Sequence, residues 1–328
     1  MRHQVGQIID HYEVLEPLGE GAYSEVYKAR DTNTGRVVVL KSPDPLLFSD
    51  PQVYQRFTRE SKIAQLLDHP GLQRAIELRE DIREPYLVLE YVEGATLRCR
   101  IREFEHGVPI ALALDWARQL AASLAYMHAN GVMHRDLKPE NVLVASGDKL
   151  KISDFGTAMM EGARRLTWRH MSESVGTPDY MSPEQIQGER GDLRSDIYSW
   201  GVVVYELLTG DVPFGGDNWL AVMAGHLRRS PRRIREVRPE VSPALEAVVL
   251  KAMRRYPNNR YQSAGEILTD LDRLDSIDVS SIDLSPEAPM GGMAAIGTQR
   301  QLWVYVAAVA GGFFALLALI IIVTVVTR

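Results

Sequence analysis

A chain of 328 residues with 45% hydrophobic and 24% charged residues can bury the core of one two-lobed domain or two small ones, which excludes a disordered polymer and a polytopic membrane protein. The formal charge of -6 gives no electrostatic reason for nucleic acid as the principal partner. A single cysteine, Cys99, excludes an internal disulfide and reads as a small packing residue in a reducing compartment.

Met1 to Ile9 has no apolar stretch long enough for a secretory signal. Residues 12 to 41 read as three strands of a twisted sheet, Tyr12 to Leu18, Glu25 to Arg30 and Arg36 to Lys41, with Asp31 to Gly35 as the turn between the last two. The first turn carries Gly19-Glu20-Gly21-Ala22-Tyr23-Ser24-Glu25-Val26, in which glycine lets backbone amides approach phosphate oxygens. A dinucleotide-binding unit would place a helix next, whereas Glu25 to Arg30 reads as a strand, and the Gly-Lys-Ser/Thr of a P-loop is absent. Lys41, closing Val38-Val39-Leu40-Lys41, would alone read as a snorkelling surface residue; the next helix, with Arg59-Glu60-Ser61, offers Glu60 as its partner. Tyr86 to Gly94 reads as a buried strand running into a turn. Leu112 to Asn130 has helical spacing and stops at Asn130-Gly131.

That helix delivers the chain to His134-Arg135-Asp136-Leu137-Lys138-Pro139-Glu140-Asn141, followed thirteen residues after Asn141 by Asp154-Phe155-Gly156. A carboxylate to receive a hydroxyl proton, a lysine for a phosphate, and an amide and a second carboxylate for metal ions make most of a Mg-ATP phosphoryl-transfer site. Further on come Gly176-Thr177-Pro178-Asp179-Tyr180-Met181-Ser182-Pro183-Glu184, an apolar helix opening at Asp196 and running through Leu208, and Pro257-Asn258-Asn259-Arg260-Tyr261. Between them His226 to Arg238 packs six arginines into thirteen residues. They read either as a solvated connection or as a patch for anionic lipid or an acidic substrate.

These motifs, in this order, resemble the protein kinase family over roughly Tyr12 to Leu274, and the downstream wording is most similar to bacterial serine/threonine kinases. The resemblance implies an α+β, two-lobed kinase fold over residues 12–274, with a small β-rich N-lobe and a larger helical C-lobe. It implies ATP and Mg2+ as cofactors and Ser/Thr of proteins as substrates, Lys138 marking this subclass against tyrosine kinases. Asp136 becomes the catalytic base, Lys138 the residue that steadies the γ-phosphate, and Asn141 and Asp154 the Mg2+ ligands. The implied nucleotide lining is Leu18, Gly19, Glu20, Gly21, Ala22, Tyr23, Ser24 and Val26 of the glycine-rich loop, with Val39 over the adenine. Lys41 would hold the α- and β-phosphates while paired with Glu60. Backbone groups of Glu90 and Val92 would read the adenine edge beside a gatekeeper, Leu89, and Leu143 completes the set.

Three positions depart from the family pattern: Ser24 stands for a third glycine, Val39 for alanine, which narrows the nucleotide pocket, and Ser182 for alanine. Arg135 before Asp136 implies activation by autophosphorylation between Asp154 and Glu184, with Thr167, Ser172 and Ser174 as candidate sites and Arg164, Arg165 and Arg169 as partners. Thr177 is expected to bond within the active site, Asp196 to anchor the catalytic loop from below, and Arg260 to pair with Glu184. A nucleotide-binding pseudokinase scaffold is the rival reading, usually marked by loss of a residue equivalent to Lys41, Asp136 or Asp154; all three are present. A small-molecule kinase is disfavoured by the Gly176 to Glu184 platform.

Asp275 to Gln301, rich in Ser, Asp, Pro and Gly, reads as a flexible juxtamembrane linker with a reach of roughly 30 Å. From Leu302 to Val326 only Thr324 interrupts an apolar run, and a helix of that length reaches about 38 Å against the ~30 Å bilayer core. A single transmembrane helix over 302–326 is therefore expected, with Trp303 and Tyr305 at headgroup level. The need for ATP puts the catalytic domain in the cytosol, leaving Thr327 and Arg328 beyond the membrane and no extracellular sensing domain. Ala307, Gly311 and Ala315 at four-residue intervals could let two helices approach, giving a homodimer suited to phosphorylation in trans.

Overall fold

β-branched and aromatic residues at alternating positions dominate the N-terminal third, and they form a six-stranded antiparallel sheet. The structure is a computed structural model that describes residues 3–20, 24–43, 51–79, 85–160 and 178–290. The strands are β1 (Ile8–Ile9), β2 (Tyr12–Glu20), β3 (Ser24–Asp31), β4 (Val37–Pro43), β5 (Ala75–Arg79) and β6 (Tyr86–Glu90), in the order β1-β2-β3-β4-β6-β5. Helix α1 (Pro51–Leu66) links β4 to β5. Period-two alternation gives the sheet two apolar faces: Tyr12, Val14, Tyr27, Ala29, Val38, Leu40 and Val88 form one cluster. Val39, Leu87 and Leu89 point the other way and join Phe57, Ile63 and Ala64 of α1 in the main core.

After a turn at Tyr91–Glu93 the chain forms β7 (Gly94–Thr96), α2 (Leu97–Ile101), α3 (Ile110–Ala129), β8 (Val132–Met133), β9 (Val142–Ala145), β10 (Lys149–Ile152) and β11 (Met159–Met160). A small sheet in the order β10-β9-β7 and a β8–β11 pair place the loops between them side by side. The rest is helical: α4 (Pro183–Ile186), α5 (Leu193–Thr209), α6 (Trp219–Arg228), α7 (Ile234–Val237), α8 (Pro243–Ala252) and α9 (Ala264–Leu271). Helix α5 is buried on every side from Ser195 to Thr209, and α3 and α8 pack against it, with Trp200 Nε1 donating to the Ala117 carbonyl at 3.0 Å. Leu72 bridges β10 at Ile152, so the two lobes share one core.

The apolar helix begins at Leu193, three residues before Asp196, because the Asp192 side chain caps it by accepting from the Arg194 amide. The arginines of His226 to Arg238 serve mainly internal contacts. Arg238 donates to the carbonyls of Val108 and Leu208, Arg235 to that of Val241, and Arg229 to those of Gly215 and Ala221, while Arg232 and Arg233 pair with Glu236 and Glu246.

The stretch from Asp275 that composition reads as linker lies against the C-lobe through Ala288, where the compact unit ends. Its anchors are hydrogen bonds from arginines, not an apolar stripe, so no periodicity announces it. The expected membrane span at 302–326, with Ala307, Gly311 and Ala315, lies outside the described residues, among which no helix is long and apolar enough to cross a membrane.

Candidate active site

Strand β4 and helix α1 present Lys41 and Glu60 to each other in a buried ion pair, and Lys41 Nζ also donates to Asp154 Oδ1 at 2.9 Å. Burial alone would push the Lys41 ammonium down; the Asp154 and Glu60 carboxylates overcome it and hold lysine above its usual range. Lys41 in turn holds the Asp154 carboxyl well below the usual carboxylate range. Phe155 turns inward, 3% exposed and edge-on to the His134 ring, which leaves Asp154 facing Lys41. Asp154 takes a left-handed backbone, φ 59°, and its Oδ1 accepts the Gly156 amide at 3.2 Å. Gly156 leaves room here: a Cβ there would lie a tight 3.1 Å from Asp154 Oδ1 and 3.2 Å from Glu60 Oε2.

The Arg135 to Asn141 loop is held from below. Asp196, fully buried, accepts the amides of His134 and Arg135 at 2.9 and 2.7 Å and bonds His128 Nε2 at 2.9 Å. Burial would raise its pKa, but the hydrogen bond and charge of His128 and the Arg135 amide lower it. Fixed in this way, Arg135 adopts φ 70°, a strain that a free loop would relax. Above it Lys138 Nζ donates to Asp136 Oδ2 at 2.8 Å, and Asn141 Nδ2 donates to the same oxygen at 3.1 Å and to the Asp136 carbonyl at 2.8 Å. Ser153 donates its amide and its hydroxyl to the Asn141 carbonyl, which sets Asp154 beside Asn141.

One carboxylate oxygen each of Asp136 and Asp154, and the amide oxygen of Asn141, have no bond among the described residues. The Asn141 and Asp154 oxygens, hard donors, fit a Mg2+ ion completed by phosphate and water, and such a site needs no cluster of three protein ligands; none exists among the described residues.

The other expected nucleotide-lining residues are placed as follows. Leu18, Gly19 and Glu20 end β2, Ser24 and Val26 begin β3, and Gly21, Ala22 and Tyr23 lie outside the described residues. Val39 is buried and paired in register with Leu89, while Leu143 on β9 pairs with Lys151 and Thr96. Val92 is half-buried at the turn. Glu90 departs from expectation: its amide donates to the Arg74 carbonyl at 2.9 Å and its carbonyl accepts Gln73 Nε2 at 3.0 Å. Both backbone groups are thus engaged within the chain, and only the second lone pair of the carbonyl remains for another donor. The Glu90 carboxylate bonds Lys151 Nζ at 2.7 Å, tying the turn to the C-lobe.

Pro178 to Glu184 forms the described end of the expected activation segment; Thr167, Ser172, Ser174, Thr177 and Arg164, Arg165 and Arg169 lie outside the described residues. Ser182 caps α4 in a reciprocal box with Gln185, which accounts for a hydroxyl where alanine is usual. Gln185 Nε2 also donates to the Arg135 carbonyl at 2.9 Å, a link from platform to catalytic loop that the sequence did not signal. Arg260 meets Glu184 in a two-pronged pair at 2.8 and 2.7 Å. A second unannounced cluster centres on Arg98 of α2, which bonds Glu140 at 2.6 Å, Glu206 at 2.5 Å and the Tyr180 hydroxyl.

The protein kinase domain family matches residues 12–270. A probable serine/threonine-protein kinase of Streptomyces coelicolor is 39% identical over 291 residues, 87% of this chain and 42% of that protein. The serine/threonine-protein kinase PknB of Mycolicibacterium smegmatis is 39% identical over 81% of this chain and 43% of its own length. The chain therefore spans about two fifths of the length of these curated relatives. Among solved structures, the Mycobacterium tuberculosis PknI kinase domain superimposes with a TM-score of 0.64 at 24% identity, covering 84% of this chain and 100% of that one, a likeness of fold.

Proposed function

The chain belongs to the protein kinase family, and on that premise we propose that it is a membrane-anchored serine/threonine protein kinase that transfers the ATP γ-phosphate to protein hydroxyls. The observation that carries this reading is the convergence of Lys41, Glu60 and Asp154 with Asp136, Lys138 and Asn141 at one cleft between the lobes. When bound, Mg-ATP supplies the phosphoryl group, with the metal offsetting the charge of its phosphates. Asn141 and Asp154 would hold the metal through the oxygens left unbonded among the described residues. Lys41, kept charged by its two carboxylates, turns to the α- and β-phosphates while Glu60 keeps it in place. Asp136, its Oδ2 held by Lys138 and Asn141, presents Oδ1 to the substrate hydroxyl. The hydroxyl oxygen bonds to phosphorus, the bond to the leaving ADP oxygen breaks, and the hydroxyl proton goes to Asp136.

Leu18, Gly19, Glu20, Gly21, Ala22, Tyr23, Ser24, Val26, Val39, Glu90, Val92 and Leu143 line the nucleotide, with the Glu90 carbonyl shared between Gln73 and the adenine. Autophosphorylation at Thr167, Ser172 or Ser174 activates the enzyme by supplying an anion to Arg135. The apolar run at 302–326 anchors the chain in the cell membrane with the catalytic domain in the cytosol, and helix pairing through Ala307, Gly311 and Ala315 favours phosphorylation in trans.

The test is intact-mass analysis and phosphosite mapping of the full chain in lipid after incubation with Mg-ATP, beside Asp136→Asn. Mass gain in phosphate steps, absent in the variant and mapped between Asp154 and Glu184, is the expected result. Nucleotide binding without any gain would replace the kinase reading with the scaffold one. Trans phosphorylation unaffected by Gly311→Leu would remove helix pairing from the proposal.

A further inference from the structure

All five N–H donors of the Arg260 guanidinium are used. Two go to Glu184, and the others to the carbonyls of Arg194 at 2.9 Å, Arg254 at 2.6 Å and Arg255 at 2.9 Å. The position of the Glu184–Arg260 pair is thus set by the backbone at Arg254 and Arg255, and that backbone is held by the tail. The Glu287 carboxylate accepts the Arg255 amide at 2.5 Å and Asn259 Nδ2 at 2.7 Å, and lies 3.2 Å from Arg254 Nε. Arg254 Nη1 donates to the Ser285 carbonyl at 2.6 Å, and Arg255 Nη1 donates to the carbonyls of Glu287 and Ala288 at 2.6 and 2.9 Å. Only 10% of the Glu287 side chain is exposed, too little for an incidental surface contact.

We propose that Glu287 is a positioning residue for the substrate platform, acting through Arg254 and Arg255 on Arg260 and thence on Glu184. The chain of contacts continues through Gln185, next to Glu184, to the Arg135 carbonyl beside Asp136. The tail through Ala288 is then a working part of the catalytic unit. Neutralising or removing the Glu287 carboxylate frees the Arg254–Arg255 backbone, loosens Arg260 and lets the platform at 182–187 fluctuate. ATP binding, assigned above to Lys41, Glu60 and Asp154, which bond none of these residues, is left alone.

The effect on KM rests on the kinase reading above; the effect on platform mobility does not. In the full chain, Glu287→Ala and Glu287→Gln are compared with wild type and with Asp272→Ala, which breaks only an exposed pair with Arg118. Hydrogen–deuterium exchange is followed over residues 178–190, and KM is measured for ATP and for dephosphorylated casein. Glu287→Ala is expected to speed exchange at 182–187 and to raise the casein KM about threefold to tenfold, the range that couplings through a packed network produce, with the ATP KM unchanged. Glu287→Gln, which keeps an acceptor for the Arg255 amide, falls between, and Asp272→Ala matches wild type. Unchanged exchange at 182–187 overturns the proposal, as does a rise of both KM values together, which marks general loosening. If wild type transfers no phosphate, the kinase reading fails, and the exchange measurement alone decides the tail.

Discussion

Four carboxylates beneath and within the cleft fall into two pairs. Asp196 and Glu184 are 1% and 4% exposed, and every oxygen they carry is bonded. The side chains of Asp136 and Asp154 are 35% and 49% exposed, and each keeps one oxygen unbonded among the described residues. A buried charge with spare lone pairs costs stability, so the supporting pair is saturated. On the proposed kinase reading Asp136 takes a proton and Asp154 a metal, and each would use the spare lone pair that its exposed position leaves it. The same side chain is therefore saturated or left with an open oxygen according to how many partners the fold supplies.

The sharpest break of this comparison is Asp136→Asn, which removes the proton acceptor but keeps the partners of Oδ2. Turnover should fall about 10²–10⁴-fold with the thermal midpoint nearly unchanged, as radiometric assay and calorimetry would show. The mirror case is Arg260→Ala, which strands the Glu184 charge in the interior. Unfolding free energy in urea should drop by about 3–5 kcal/mol, with activity lost through instability; a fully stable variant would refute the saturated-support account. Gly156→Ala probes the border between the pairs. Its Cβ would crowd Asp154 and Glu60, at about 1–3 kcal/mol, and should weaken nucleotide binding more than it lowers the midpoint.

Near neutral pH the gentlest effect is the pH dependence of stability, which grows only as the solution is acidified. Buried His226, bonded to the Tyr198 hydroxyl at 2.7 Å, is pushed down to about 3 by burial, so it stays neutral in the folded state while the unfolded chain takes a proton near 6.5. Its cost therefore begins as pH falls below 6.5. Glu184 and Asp196 have depressed folded values, so the stability they contribute is complete above their ordinary 4.5 and 3.8 and drains below them. Titrating the urea midpoint should show two successive acid limbs, and His226→Gln should flatten only the first.

Most of the cleft was legible in residue order. Lys41, Glu60, Asp136, Asn141 and Asp154, named from the kinase-like motifs, are brought together by Lys41 on β4 and Glu60 on α1 and by loops flanking the short strands β8, β9 and β10. The anchor Asp196 and the Glu184–Arg260 pair followed from the same motifs. Gln73 on the Glu90 carbonyl, Gln185 on the Arg135 carbonyl and Arg98 among Glu140, Glu206 and Tyr180 were invisible. Each joins residues far apart in the chain through single polar atoms, and no periodicity encodes such a meeting. That Asp275 to Ala288 lies against the C-lobe was hidden for the same reason, since polar composition looks alike whether water or an arginine satisfies it.

Local order along the chain thus named the candidate site residues and, through the family resemblance of its motifs, implied the two-lobed plan, because strand and helix patterns and motifs are short-range properties of sequence. Which carboxylates are saturated, where the basic segment spends its arginines and how far the folded unit extends were decided only in three dimensions. Those outcomes depend on whether a distant donor arrives within about 3 Å of an acceptor, and only the packed fold sets that distance.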